Sequence, residues 1–357
     1  MTSKELVRAA FAHEQLDYTP CDYFGTNEIN EALCKHFGIN GLENIRRCLG
    51  TDIHYIKPPY IGPKLAEYEN GSFIDIWGVI KKPKPNQYGE YAEPVNFPFA
   101  MWTTVEQAEN YNWPSADWYD YDSIPALCDV YPDSAIGLGD FSIQDFINGV
   151  AFGRGVEQVL VDIALRDPVY LYIVEKRHRF YMEYIDRCLK AGKGRIDIVL
   201  CGDDFGQQQG LLISPETFDI LFAPKKKEFF DMVHMHSAKI SHHCCGSSRQ
   251  LIPHFIKIGM DALQTIQPQA KGMNPYQLKA DFGDQIVLHG AVDVQGWLQN
   301  ATVPEVKVEV ARLMDELGKY GGYILSPCHN IQPDTPIKNV LAIYEEVAKR
   351  RGTVLGR

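Results

Sequence analysis

Short apolar, β-branched runs recur along this chain, and amphipathic stretches of helical period separate most of them. Eight runs qualify as strands: Cys21–Phe24, Ile53–Ile56, Ala135–Leu138, Ile196–Cys201, Lys239–His243, Ala262–Gln264, Ile286–Gly290 and Gly322–Ser326. Brief apolar runs bounded by turn residues and alternating with helices are the pattern of parallel strands joined by crossover helices. Eight such units predict an α/β fold of the (β/α)8 TIM-barrel type, and 357 residues suit one that carries an insertion. No internal repeat, low-complexity tract or Gly/Ser-rich linker divides the chain, so residues 1–357 read as a single domain.

The helix starts are chemically legible. In "SPETFDILF", Ser214 is placed to cap and Pro215 to take the first helical position. "TVPEVKVEVARLMDEL" offers Thr302 and Glu305 as a capping box, and Pro336 stands just behind Thr335 in "DTPIKNVLAIYEEVAKR". The alternation stops once. After the second strand, from Pro58 to about Ala126, prolines and aromatics crowd together, and "FIDIWGVIKK" and "GEYAEPVNF" flank "PKPNQ" as a hairpin would. Such an insertion is either a cover for one barrel end or a wall of the substrate pocket.

Composition narrows the function. A net charge of -11 argues against a nucleic-acid partner, whose phosphates require clustered Lys and Arg. The one basic run, "PKKKEFF" (Pro224–Phe230), reads as the solvated face of a helix. No stretch approaches the ~18 consecutive apolar residues of a membrane helix, and "MTSKELVRAAFAHEQLDYTP" resembles neither a signal nor a transit peptide. Nine scattered cysteines fit reduced thiols, and the whole reads as a cytoplasmic protein.

The densest chemistry lies in "ISHHCCGSSRQ", Ile240–Gln250. Side chains alternate along a strand, so His243 and Cys245 share one face while His242 and Cys244 share the other. Gly246-Ser247-Ser248 then opens a turn, which puts His-x-Cys at the carboxyl end of the fifth strand, where barrel enzymes hold their chemistry. Cys328, in "GGYILSPCHNIQPDTP", stands at the corresponding end of the eighth strand. His243, Cys245 and Cys328 would form a set suited to zinc with a fourth position open. His329 is a rival third ligand, and His242 or Cys244 would enter if the register slipped by one. The competing reading is an ordinary buried strand end, since neither C-x-x-C nor H-E-x-x-H occurs.

Other polar residues fall on the same predicted face. Asp203 and Asp204 follow the fourth strand in "CGDDFGQQQG", and Asp293 and Gln295 follow the seventh in "HGAVDVQG". The three aspartates are candidate catalytic residues, as general acid/base or as partners of a metal ligand. Their alternative role is as turn-formers or helix caps. His54 fits a satisfied core histidine better than a ligand.

"DDFGQQQGLLISPETF", "HHCCGSSRQLIPHFIKIGMDALQTIQPQAKGM", "FGDQIVLHGAVDVQ" and "GGYILSPCHNIQPDTPIKNVLAIYEE" resemble the uroporphyrinogen decarboxylase superfamily. Within it they are most similar to the zinc-dependent, corrinoid-linked methyltransferases. That branch has a (β/α)8 barrel and holds zinc with a His-x-Cys-Gly and a distant Cys, which the resemblance places on His243, Cys245 and Cys328. The decarboxylases themselves have an Arg-rich stretch near the first strand for substrate carboxylates, whereas "CDYFGTNEINEALCKHFG" contains no arginine.

The resemblance implies methyl transfer between a small methylated substrate, such as an aryl methyl ether, and a corrinoid protein. A methylcobamide:thiol methyltransferase, a decarboxylase-like enzyme and a non-catalytic tetrapyrrole- or metal-binding barrel are the alternatives. "DIHYIKPPYIG" carries Asp52 and His54 without the glycine-rich context of a cobalamin-binding segment, so the cobalamin is expected on a partner.

Overall fold

The computed structural model describes residues 1–85 and 89–356. Among these, seven parallel strands form one curled sheet in the order Ile53–Ile56, Ala135–Gly139, Ile198–Gly202, Lys239–His243, Ala262–Ile266, Val287–Val292 and Tyr323–Pro327. Each spatial neighbour is also the next sheet strand in sequence, as right-handed crossovers through helices require. Helices cover the outer face, so nearly every strand residue is buried.

Cys21–Phe24, expected as the first strand, is reduced to an isolated parallel bridge between Cys21 and Leu325. The segment still pairs on both sides. Asp22 donates its amide to Leu325 and Leu325 to Pro20, while Asp52 donates to the Cys21 carbonyl. Asp52 secures this junction: its carboxylate takes the Cys21 amide at 2.7 Å, the Arg351 guanidinium at 2.6 Å and the Ser3 hydroxyl at 2.6 Å.

A small inner cluster of Ile53, Ala135, Ile198, Ala262, Val287 and Ile324 is plugged from the amino-terminal end by Val7 and Phe11 of helix Ser3–Phe11. The larger core lies between sheet and helices. The Ser214 cap and the Thr302–Glu305 capping box form as expected. The last helix begins one residue later than expected, at Ile337 with Pro336 in the capping position. The basic run departs further from a solvated face. Lys226 is fully buried, and its ammonium donates to the carbonyls of Gly202 at 2.6 Å and Gln144 at 3.1 Å over the Phe146 and Phe205 rings.

In segment 58–126, strands Ile80–Pro85 and Glu90–Pro94 pair as an antiparallel hairpin, joined at one edge by Phe73–Ile74. Its tip, residues 86–88 of the expected turn, lies outside the described residues. Most of the segment's large aromatics among the described residues are at least partly buried. Trp77, Phe99, Trp102, Tyr111 and Trp113 pack on one another, with Trp77 against Phe180 of helix Pro168–Gly192 at 5.2 Å. This local core holds the hairpin so that the Glu90 amide reaches Glu28 at 3.1 Å and the Tyr91 hydroxyl reaches Gln332 at 3.3 Å. No helix among the described residues is long and apolar enough to cross a membrane.

Removing the Asp52 carboxylate orphans a largely buried guanidinium and a buried amide together. Asp52→Ala is expected to destabilise the protein by about 3–5 kcal/mol, read as a lower midpoint in chemical denaturation. An unchanged midpoint would show that the junction is held by backbone pairing alone.

Candidate metal centre

Strand Lys239–His243 sends its last side chains to opposite faces. His242 enters the outer core, its ring 4.8 Å from Phe255, and Cys244 follows it there, its sulfur accepting from the Phe205 amide at 3.4 Å. His243 and Cys245 turn inward, with Nε2 and Sγ 3.0 Å apart. The turn after Cys245 depends on Gly246 at φ +73°, where a Cβ would stand 2.8 Å from the Gln207 backbone nitrogen. The loop carrying Asp203 and Asp204 therefore packs backbone to backbone against the loop carrying Cys245. The Ser247 amide donates to the Gln207 carbonyl at 2.9 Å across the same contact.

His329 completes the group. One donor atom each from His243, Cys245 and His329 lies within 4.8 Å of the others, the one such set of metal-capable side chains among the described residues. Cys328, the third ligand that the sequence suggests, stands outside it. Cys328 follows strand Tyr323–Pro327 fully buried and close enough to Cys245 to help raise that thiol, and burial pushes its own thiol up to about 12 against the pull of the Val294 amide. The next residue, His329, stands beside His243, at 5.9 Å between ring centroids.

The donors suit a divalent cation. His243 Nδ1 is hydrogen-bonded to Gln264 Oε1, an atom that can only accept, so the ring carries its proton there and leaves Nε2 free to bind. Burial, with His243 nearby, lowers His329 to about 4, despite the opposing charge of Asp204, so its imidazole is neutral at physiological pH. Burial and then the Asp204 carboxylate raise the Cys245 thiol well above its ordinary value, so the thiolate needs a compensating cation. Two imidazoles and one thiolate match zinc, with a fourth position left for a ligand.

The acidic candidates separate by environment. Asp204 borders the group: Oδ1 lies 3.5 Å from His243 Nε2 and accepts the Cys245 amide at 2.7 Å, while Oδ2 accepts from Asn148 at 3.1 Å. Asp203 is buried behind it and accepts the Phe146 and Ile147 amides at 2.8 and 3.1 Å. Burial raises both Asp203 and the adjoining Asp145, whose carboxyls are hydrogen-bonded to each other. Asp293 forms a turn, accepting the Gln295 amide at 2.7 Å and the Gln269 side chain. Gln295 in turn accepts from Gln208 at 3.2 Å. His54 is a core histidine, paired with Glu43 at 2.6 Å and stacked on Tyr131.

The inner wall below the group holds polar residues that motif spacing does not pick out: Gln264, His289, Asp22 and Tyr55. Their signal in the sequence is a polar side chain inside an otherwise apolar strand or beside one. A cleft of about 510 Å³ lined by Arg47, Cys48 and Arg351 is at the opposite end, near the Asp52 junction.

Asp203 carries backbone rather than facing the metal group. Asp203→Ala, which strands two buried amides, is expected to cost about 3 kcal/mol in denaturation, whereas Asp204→Asn keeps the midpoint. Equal, small losses in both would contradict this division.

A family model described as uroporphyrinogen decarboxylase (URO-D) matches residues 153–350, more than half of the chain. No curated protein matches. Among solved structures, a methyltransferase from Methanosarcina mazei aligns over 98% of this chain and 99% of its own, with 16% identity and a TM-score of 0.64. A D-psicose 3-epimerase from Clostridium cellulolyticum H10 aligns over 70% of this chain and 92% of its own, with 11% identity and a TM-score of only 0.40. The metal-capable histidines and cysteine lie inside the matched region, and the chain belongs to the uroporphyrinogen decarboxylase family.

Proposed function

We propose that this protein is a zinc-dependent methyltransferase that moves a methyl group from a small methylated substrate to a corrinoid protein. The observation that carries the reading is the convergence of His243, Cys245 and His329 at the carboxyl ends of two strands, with a hydrogen bond fixing the His243 tautomer. A decarboxylase has no need of such a set. The structural likeness to the Methanosarcina mazei methyltransferase over nearly the whole of both chains supports the same choice. We also infer that Pro20–Asp22 closes the curled sheet into a (β/α)8 barrel, the pairing at Cys21 standing in for the eighth strand.

The donor set bears on the direction of transfer. One thiolate with two imidazoles leaves a divalent ion with net positive charge, whereas two thiolates would cancel it. Zinc held this way supplies a Lewis acid suited to polarising an ether oxygen. Demethylation of a methyl ether is therefore the reading preferred over methylation of a thiol. His243 and His329 bind and orient, while Asp204 fixes Cys245 through its backbone amide. The hairpin of segment 58–126 would shape the mouth that a corrinoid partner approaches, a role its ties to Glu28 and Gln332 support.

Purified protein is expected to carry about one zinc per chain. His243→Ala, Cys245→Ala and His329→Ala should each lose most of it, while Cys244→Ala and Cys328→Ala retain it. Loss in Cys328→Ala with retention in His329→Ala would restore the Cys328 assignment.

Methyl transfer is tested with free cob(I)alamin against methyl ethers, methylamines and methylated thiols. Slow turnover of an ether, and faster turnover with a cognate corrinoid protein, is the expected result. Carbon dioxide release from a carboxylate substrate without any transfer to cobalt would establish the decarboxylase instead.

A further inference from the structure

Beneath the metal group, the inner wall carries a continuous polar stripe. His243 is hydrogen-bonded to Gln264 on the adjacent strand, and Gln264 is in turn the register partner of His289. Val287 belongs to the inner cluster, so His289, two residues along the same strand, also faces inward. His289 is buried on this wall with Nε2 3.4 Å from Asp22 Oδ2, too poorly aligned for a hydrogen bond. Neither its Nδ1 nor the Gln264 side-chain nitrogen has a hydrogen-bond partner among the described residues. Leaving such groups unmet in the interior costs on the order of 1–3 kcal/mol each, so their retention points to a ligand that meets them.

Asp22 is held firmly. Its Oδ2 accepts the Tyr55 hydroxyl at 2.6 Å and its Oδ1 the Tyr23 amide at 2.7 Å. Arg46 lies over the Tyr55 ring at 4.7 Å and balances the charge. The titratable groups facing His289 are thus Asp22 directly, Tyr55 and Arg46 through it, and His243 through Gln264. A carboxylate 3.4 Å from one imidazole nitrogen, with neither nitrogen hydrogen-bonded among the described residues, leaves the ring open to a substrate as a general acid or base. The rings of Phe24 and Phe141 link His289 to His243 at 5.9, 5.5 and 4.2 Å, so a small substrate reaching both histidines would lie along aromatic surface.

We propose that His289, braced by Asp22, is the general acid that protonates the oxygen released on demethylation, which makes the substrate a methyl ether and not a quaternary methylammonium. The inference rests on the methyl-transfer reading. The bond between the methyl carbon and oxygen breaks with its electron pair left on oxygen. The carbon bonds to the acceptor, a reduced corrinoid supplied by the partner, and the His289 proton passes to the oxygen. The neutral imidazole recovers a proton from solvent after the alcohol or phenol leaves. A quaternary ammonium would depart as a neutral amine and need no such proton.

The test uses the full chain loaded with zinc and free cob(I)alamin, with the methyl-ether panel and tetramethylammonium as donors. His289→Gln is expected to keep its zinc and its KM while kcat for the ether falls roughly 100-fold and loses the alkaline limb of the pH profile. Asp22→Asn should lower kcat for the ether in the same way, with zinc content and KM retained. An ether kcat within threefold of wild type in His289→Gln, or tetramethylammonium as the preferred donor, would overturn the proposal while leaving methyl transfer intact. Wild-type protein that transfers no methyl group from any donor would instead remove the methyl-transfer reading, and this inference with it.

Discussion

The hydrogen bond between His243 Nδ1 and Gln264 Oε1 joins the two halves of the site. A buried imidazole has two nitrogens to satisfy, and an acceptor fixed on one commits the other to a lone pair. That lone pair points toward Cys245 and the His329 side of the group. The amide nitrogen of Gln264 has no hydrogen-bond partner among the described residues. One side-chain pair thus fixes the His243 ring and leaves a buried donor unmet beside it.

Parallel strands make this arrangement possible because they bury both faces. Apolar residues fill the outward positions and the lower inner layer, where Val287 and Ile324 pack against Phe11. The upper inner positions take polar residues, each of which must find a partner or a ligand. Asp22 finds Tyr55 and a backbone amide. Adjacent aspartates illustrate how strictly position decides role. Asp203 serves the chain, and Asp204, one residue on, borders the donors.

The loops at the carboxyl ends are fixed by close backbone contact rather than by long side chains. Gly246 and Gly206 let two loops touch where a Cβ on either would collide with the other. This rigidity matters for a three-donor site, because ligands misplaced by an ångström bind poorly. The aromatic residues of segment 58–126 do comparable work at longer range. They form a local core on helix Pro168–Gly192 and so hold a mostly exposed hairpin against Glu28 and Gln332.

Periodicity in the sequence was enough for the strand–helix alternation, for the separation of His243 and Cys245 from His242 and Cys244, and for the capped helix starts. These are local properties, set by a period of two or by the chemistry of four residues. Three features were decided only by the tertiary structure. That His329 stands with His243 and Cys245 depends on how the chain leaves its last strand, and alternation no longer applies beyond a strand end. Lys226 is buried because the carbonyl of Gly202, distant in sequence, receives its charge. The stripe of Gln264, His289 and Asp22 draws on residues as far apart as 22 and 289, and only the curvature of the sheet brings them onto one wall.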